Sequence, residues 1–315
     1  MILFSGKIED YLQRKLIEEN PTQQFIFCAN MEEARKALSL AEILVTYGED
    51  LTDELIEEAV SLKWIMVLSA GMEKMPFEAI KQRDILVTNA RGIHRIPMAE
   101  YAISMILQVY RQTKKLIEHE KAHEWAKHLP MEELHGKTML ILGAGAIGQE
   151  VARVAKAFHV KTLGVSRSGR SLDYFDEVYQ MEAFQSLLPQ ADIFISILPS
   201  TKETQGMLQY GHLEALPNHA LFLNMGRGDV IDFTDIIRAV NEGQIAHAVL
   251  DVFEQEPLPA DNPLWDNDAI TLTPHISAST KHYDPRALEI FQKNLLIYNK
   301  DKKDYVNEID VTRGY

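Results

Sequence analysis

A chain of 315 residues exceeds what one hydrophobic core usually organises, and 46% hydrophobic residues is enough for two sizeable ones. A formal net charge of −14 argues against nucleic acid or an anionic membrane surface as the main partner, and the single cysteine, Cys28, excludes an internal disulfide framework. No apolar run approaches the ~20 residues needed to cross a bilayer, and the short apolar N-terminus is too brief for a signal-peptide core, so a cytoplasmic protein is expected.

In chain order, the first 90 or so residues alternate short apolar runs with amphipathic segments. Residues 1–4, 25–28, 43–46, 64–68 and 85–88 read as buried strands. Residues 8–17, 32–38, 53–60 and 76–81 read as helices, the third opened by Thr52 as N-cap. Continuous apolar strands separated by helices predict a parallel sheet covered on both faces. Pro97 then opens a long helical stretch, 98–126, with Tyr101, Ala102, Met105, Ile106, Val109 and Tyr110 on one face. It could bridge two domains or pack against a second subunit.

The stretch 138–148 reads T-M-L-I-L-G-A-G-A-I-G, an apolar strand running into Gly143, Gly145 and Gly148, spaced G-x-G-x-x-G, with a helix after them. In that order the glycines permit a tight turn, a backbone approach to a pyrophosphate and close packing of helix on strand, while the helix N-terminus faces the phosphates. Further strands are predicted at 161–166, 193–198, 220–224, 247–252 and 269–273. With the first they make six, the count of a doubly wound dinucleotide-binding domain. A last helix is expected at 285–298.

His119-Glu120-Lys121-Ala122-His123 matches H-E-x-x-H, the helical zinc-protease motif. A catalytic zinc needs a third protein ligand, and Ala126 and Leu129 stand where the extended motif requires Gly and His. Among Lys114, Lys115, Glu118, Lys121 and Glu124, the motif reads as a solvated charged face with no metal.

Ligands of open α/β sheets bind beyond the carboxyl ends of the strands. That rule gathers Asn224-Met225-Gly226-Arg227-Gly228, the segment 251–257 and Thr273-Pro274-His275 at one rim with the glycine loop. Together they suggest a carboxylate clamp and a carboxylate-supported acid/base histidine. About 20 residues beyond the glycines, an NAD site normally presents Asp or Glu to the ribose 2′-OH. Here Ser166-Arg167-Ser168 stands instead, with no acid before Asp173, which favours the 2′-phosphate of NADP while leaving NAD open.

These motifs, with Ser69-Ala70-Gly71 and Arg91-Gly92-Ile93 leading to Pro97-Met98-Ala99-Glu100-Tyr101, resemble the D-isomer-specific 2-hydroxyacid dehydrogenases over nearly the whole chain. The resemblance implies an α/β protein of two doubly wound parallel-sheet domains. A Rossmann cofactor domain, 99–283, would be inserted into a flavodoxin-like substrate domain, 1–98 plus 284–315, with substrate in the cleft between them and dimers formed through the long helix. It implies that Arg227 holds the substrate carboxylate and polarises the 2-oxo group. His275 would exchange a proton with that oxygen, Glu256 would orient His275, and Asp251 would face the nicotinamide carboxamide. The turn Ser69-Ala70-Gly71 would receive the substrate carboxylate. Gly143, Gly145, Ala146, Ile147, Gly148, Ser166, Arg167, Ser168, Leu198, Pro199, Thr204 and Met225 would line the cofactor. Tyr47, Met72, Met98 and Trp125 are candidates for shaping the pocket. Glyoxylate, hydroxypyruvate and longer 2-oxo acids all carry the group that Arg227 would recognise. A nucleotide-sensing corepressor is the alternative on the same fold; the complete Arg227, Glu256 and His275 set favours an enzyme.

Overall fold

A computed structural model describes residues 1–69, 71–72, 74–300 and 302–312. The chain divides into two compact units, Met1–Ile93 with Thr280–Tyr315, and His94–Ser279.

The first unit holds β1 (Ile2–Phe4), α1 (Asp10–Glu19), β2 (Phe25–Phe27), α2 (Met31–Leu38), β3 (Ile43–Thr46), α3 (Asp53–Glu58), β4 (Trp64–Val67), α4 (Phe77–Gln82) and β5 (Leu86–Asn89). All strand pairs are parallel, in the order β2-β1-β3-β4-β5, the flavodoxin-like arrangement. Period-two alternation sends Leu3, Leu44, Ile65 and Val67 into one core, beside Ala34 and Leu38 of α2 and Leu55 and Ile56 of α3. It sends Ile2, Phe4, Ile43, Val45, Trp64 and Met66 into the other, against Leu12 and Leu16 of α1 and the C-terminal helix, Tyr283–Tyr298. That helix is tied down by Phe291 and Tyr298, each stacked on the Trp64 indole at 5.5 Å. Because both faces are covered, every residue of β1, β3 and β4 is buried, which is why these strands read as unbroken apolar runs. Thr52 caps α3 as expected, its hydroxyl accepting from the Leu55 amide at 3.3 Å.

The second unit opens with α5 (Arg95–Tyr110) and α6 (Thr113–Lys121). The single helix expected over 98–126 is corrected to these two. Pro97 sits inside the first turn of α5, where its missing N–H costs nothing. Beyond Tyr110 the apolar face runs out: Gln112 takes a left-handed φ of 53°, and no residue of α6 is buried. There follow β6 (Thr138–Leu142), α7 (Ala146–Ala155), β7 (Lys161–Val165), β8 (Glu177–Tyr179), α8 (Phe184–Leu187), β9 (Ile193–Ser196), α9 (Tyr210–Glu214), β10 (Leu221–Asn224), α10 (Phe233–Asn241), β11 (His247–Leu250) and β12 (Ile270–Leu272).

The sheet has seven parallel strands, ordered β12-β11-β10-β9-β6-β7-β8, rather than the six expected. The added strand, β8, is a three-residue edge strand with Glu177 exposed, so it carries no apolar run. Alternate residues again feed two cores. Leu140, Leu142, Phe194 and Phe222 face α8 to α10, and Met139, Ile141, Ile195 and Leu223 face α5 and α7. Strand order reverses beside β6, between β7 and β9, and open α/β sheets bind their ligands at such a switch point, outside the carboxyl ends of the strands.

Candidate active site

The loop after β6 is built by its glycines. Gly143 has φ 103°, and a Cβ there would lie 2.8 Å from the Ile197 carbonyl oxygen across the switch point. A Cβ on Gly148 would lie 2.7 Å from the Gly143 oxygen, so only hydrogen lets α7 sit this close to its strand. Gly145 is different: a Cβ there would meet nothing within 4 Å, so this position leaves open space in front of the backbone. The first helical bond of α7 runs from Gln149 N to Gly145 O at 2.9 Å. The amides of Ala146, Ile147 and Gly148 precede it and find no carbonyl within the helix. Open space facing a helix N-terminus fits a pyrophosphate.

Across the switch point, Ile197 N is bonded to Leu142 O, Leu198 is buried, and the Thr204 hydroxyl donates to Pro199 O at 2.6 Å, closing the loop after β9. Met225, after β10, is buried and donates its amide to Ser196 O.

At the end of β7, Ser166 Oγ accepts from Gly169 N (3.2 Å) and Ser168 Oγ from Arg170 N (3.4 Å). Each hydroxyl so engaged keeps its proton to donate elsewhere. Arg167 and Ser168 are exposed. Glu203, in the loop after β9, is held below the usual carboxylate range chiefly by the Thr201 hydroxyl and a backbone bond, with the charges of Arg167 and Lys202 adding to them. The motifs gave no sign of this carboxylate beside Arg167.

Three loops at the strand ends hold the arginine, carboxylate and histidine candidates. After β10, buried Asn224 ties the turn by donating to Arg227 O (3.0 Å) and accepting from Gly226 N (3.2 Å). Arg227 Nη1 donates to Gly226 O at 2.9 Å. A Cβ on Gly228 would fall 2.0 Å from the carbonyl carbon of Phe253, so this turn and the loop after β11 lie in direct contact. Within that loop Glu256 Oε1 accepts from Phe253 N (2.9 Å) while Oε2 lies 2.7 Å from His275 Nδ1. An ionised carboxylate only accepts, which assigns the proton to Nδ1 and leaves Nε2 outside this bond. Glu256 and His275 are thus brought together, both partly exposed. Arg227 also stands beside His94, which sequence reasoning missed. Burial first, and then the Arg227 charge, push the His94 imidazole below its ordinary value, disfavouring its charged form.

Asp251 is fully buried. Its carboxylate accepts from Thr273 Oγ1 (2.6 Å), Ile276 N (2.9 Å) and Ser277 N (2.9 Å). The resemblance implied contact with a nicotinamide carboxamide; in the structure the buried carboxylate braces the turn that carries His275.

In the first unit, the Ser69 hydroxyl lies 2.9 Å from Tyr47 O and 3.0 Å from Gly71 O, and the Tyr47 hydroxyl donates to Asp284 at 2.9 Å. Ala70, the middle residue of the expected substrate turn, lies outside the described residues. Met72 and Met98 are packed in cores, and Trp125 is 87% exposed. The H-E-x-x-H pair does not share a helical face: His123 lies past the end of α6 at φ 57°, and His119 is paired with Glu124 at 2.6 Å.

The sequence model described as "D-isomer specific 2-hydroxyacid dehydrogenase, NAD binding domain" matches residues 103–277. A D-isomer-specific 2-hydroxyacid dehydrogenase family protein from Aeromonas salmonicida is 36% identical, with TM-score 0.89 and 98% of each chain covered. A glyoxylate reductase from Pyrococcus furiosus is 30% identical over 84% of this chain and 81% of its own. An NADPH-dependent glyoxylate/hydroxypyruvate reductase from Sinorhizobium meliloti, solved with NADP and sulfate, is 25% identical with TM-score 0.82, covering 100% of this chain and 99% of that one.

Proposed function

The chain belongs to the D-isomer-specific 2-hydroxyacid dehydrogenases, nicotinamide-dependent enzymes acting on a CH–OH group, and on that premise we propose that it reduces a small 2-oxo acid of the glyoxylate or hydroxypyruvate kind with NADPH. The observation that carries the chemistry is the Glu256–His275 pair at 2.7 Å, on a loop in contact with the turn of Arg227.

Bound nicotinamide supplies the hydride. The planar, permanently charged fork of Arg227 suits the substrate carboxylate, and its charge stabilises the alkoxide developing at C2. His275 donates a proton from Nε2 to that oxygen in reduction and removes it in oxidation, while Glu256 on Nδ1 holds the tautomer and aim of the ring.

Support for NADPH is local. Two serine hydroxyls with protons to give and one guanidinium follow β7, where an NAD site presents a carboxylate. The NADP complex of the Sinorhizobium relative points the same way. The reading is tested by a spectrophotometric panel of 2-oxo acids against NADPH and NADH. Turnover is expected with glyoxylate or hydroxypyruvate, at higher kcat/KM with NADPH. A clear NADH preference overturns the cofactor assignment, and no turnover with any 2-oxo acid overturns the activity.

We also assign a second copy of the chain to the exposed apolar residues of α6 and the segment after it. Leu116, Ile117, Trp125 and Met131 are all exposed there.

A further inference from the structure

His275 adopts φ 52°, a left-handed conformation disfavoured for any residue bearing a Cβ and kept only where the surroundings hold it. What holds it is visible. His275 N donates to Asp251 O at 2.8 Å, and the two residues after it donate their amides to the Asp251 carboxylate at 2.9 Å each. The third donor to that carboxylate is the Thr273 hydroxyl, which lies 2.7 Å from the hydroxyl of Tyr101, on α5. A hydroxyl has one proton. Thr273 gives its proton to Asp251, which can only accept, so Tyr101 must donate to Thr273. Burial, against the opposing pull of the Thr273 hydroxyl and with the Asp251 charge adding to it, raises the phenol well above its ordinary value and keeps it protonated.

We propose that Tyr101 is a positioning residue: through Thr273 its hydroxyl fixes the Asp251 carboxylate, which fixes the His275 turn. Glu256 sets the ring and Tyr101 sets the backbone that carries it. Tyr101 thereby ties the aim of the imidazole to a helix packed in the core of the second unit. The proposal rests on the acid–base role given to His275 above.

Tyr101→Phe keeps the packed ring and deletes the donor. The expected result is a kcat lower by about tenfold, with KM for the 2-oxo acid and Kd for NADPH within about twofold of wild type. In cofactor-free protein, amide exchange at Ile276 and Ser277 should quicken by about tenfold while the sheet strands keep their protection. Thr273→Val should lose at least as much, and Thr273→Ser should restore activity. The double variant Tyr101→Phe/Thr273→Val should be no worse than Thr273→Val alone, because both break one chain.

Unchanged kcat and unchanged exchange at Ile276 and Ser277 in Tyr101→Phe overturn the proposal, as do losses that simply add in the double variant. His275→Gln separates the two levels. Collapsed turnover there beside a normal Tyr101→Phe removes the positioning role alone. Normal turnover in His275→Gln removes the acid–base reading and the positioning role with it.

Discussion

The hydroxyls of Ser166 and Ser168 accept from the amides of Gly169 and Arg170, so each keeps its own proton to donate. Arg167 lies between them, exposed, within the field of Glu203. A 2′-phosphate held by a guanidinium gains charge-assisted hydrogen bonds worth about 1.5–3 kcal/mol, which a ribose hydroxyl cannot match. Arg167→Ala should therefore raise KM for NADPH about 10- to 100-fold and leave KM for NADH nearly unchanged. Steady-state kinetics with both cofactors check this, and an equal rise for the two would show that Arg167 does not read the phosphate.

Strand pairing in the second unit carries a titration of its own. His247 opens β11, its Nε2 lies 2.9 Å from Thr271 Oγ1, and burial, with the charges of Lys114 and Lys115, pushes its pKa down to about 4. The unfolded chain takes up this proton near 6.5, whereas the fold resists it until about 4, so between those values the unfolded state binds more protons. Stability therefore rises with pH through that window and is lost as pH falls, by about 3 kcal/mol once both values are passed. His247→Gln keeps a partner for Thr271 without the titration. Urea midpoints at pH 4.5 and 7 should differ less in this variant than in wild type, and equal differences would assign the acid sensitivity elsewhere. Elements of this kind were legible in the sequence to unequal degrees. Buried strands such as Trp64–Val67 and Thr138–Leu142 announce themselves because a sheet covered on both faces needs apolar residues at every position. Edge strand Glu177–Tyr179 needs no such run, and the break at Gln112 depends on where packing stops rather than on any helix breaker. The glycine loop was legible because a strand, a turn and a helix must follow in one order. His94 beside Arg227 and the burial of Asp251 were not, because both depend on loops distant in the chain meeting at the strand ends.

At the scale of the whole molecule, two α/β units account for nearly all the apolar runs, and α6 with the segment behind it does not belong to that account. None of the nine residues of α6 is buried, and Leu116, Ile117, Trp125 and Met131 expose 38%, 44%, 87% and 39% of their surface. A helix this short is unstable in water on its own propensity and takes its stability from packing on an apolar face. Within one chain that packing is missing among the described residues. On the dimer reading proposed above, a second copy would supply it through an isologous contact, in which the same apolar patch serves both partners. Net charge of −14 opposes close approach of two identical chains, so the contact must bury apolar surface to form. Light scattering at micromolar concentration should then give twice the 35.9 kDa chain mass. Ile117→Asp or Trp125→Asp, each placing a charge in the patch without touching either core, should shift the mass towards a single chain while the far-ultraviolet dichroism of the sheets is kept. A wild-type protein monomeric at that concentration, or a dimer indifferent to both substitutions, would place the subunit contact away from α6.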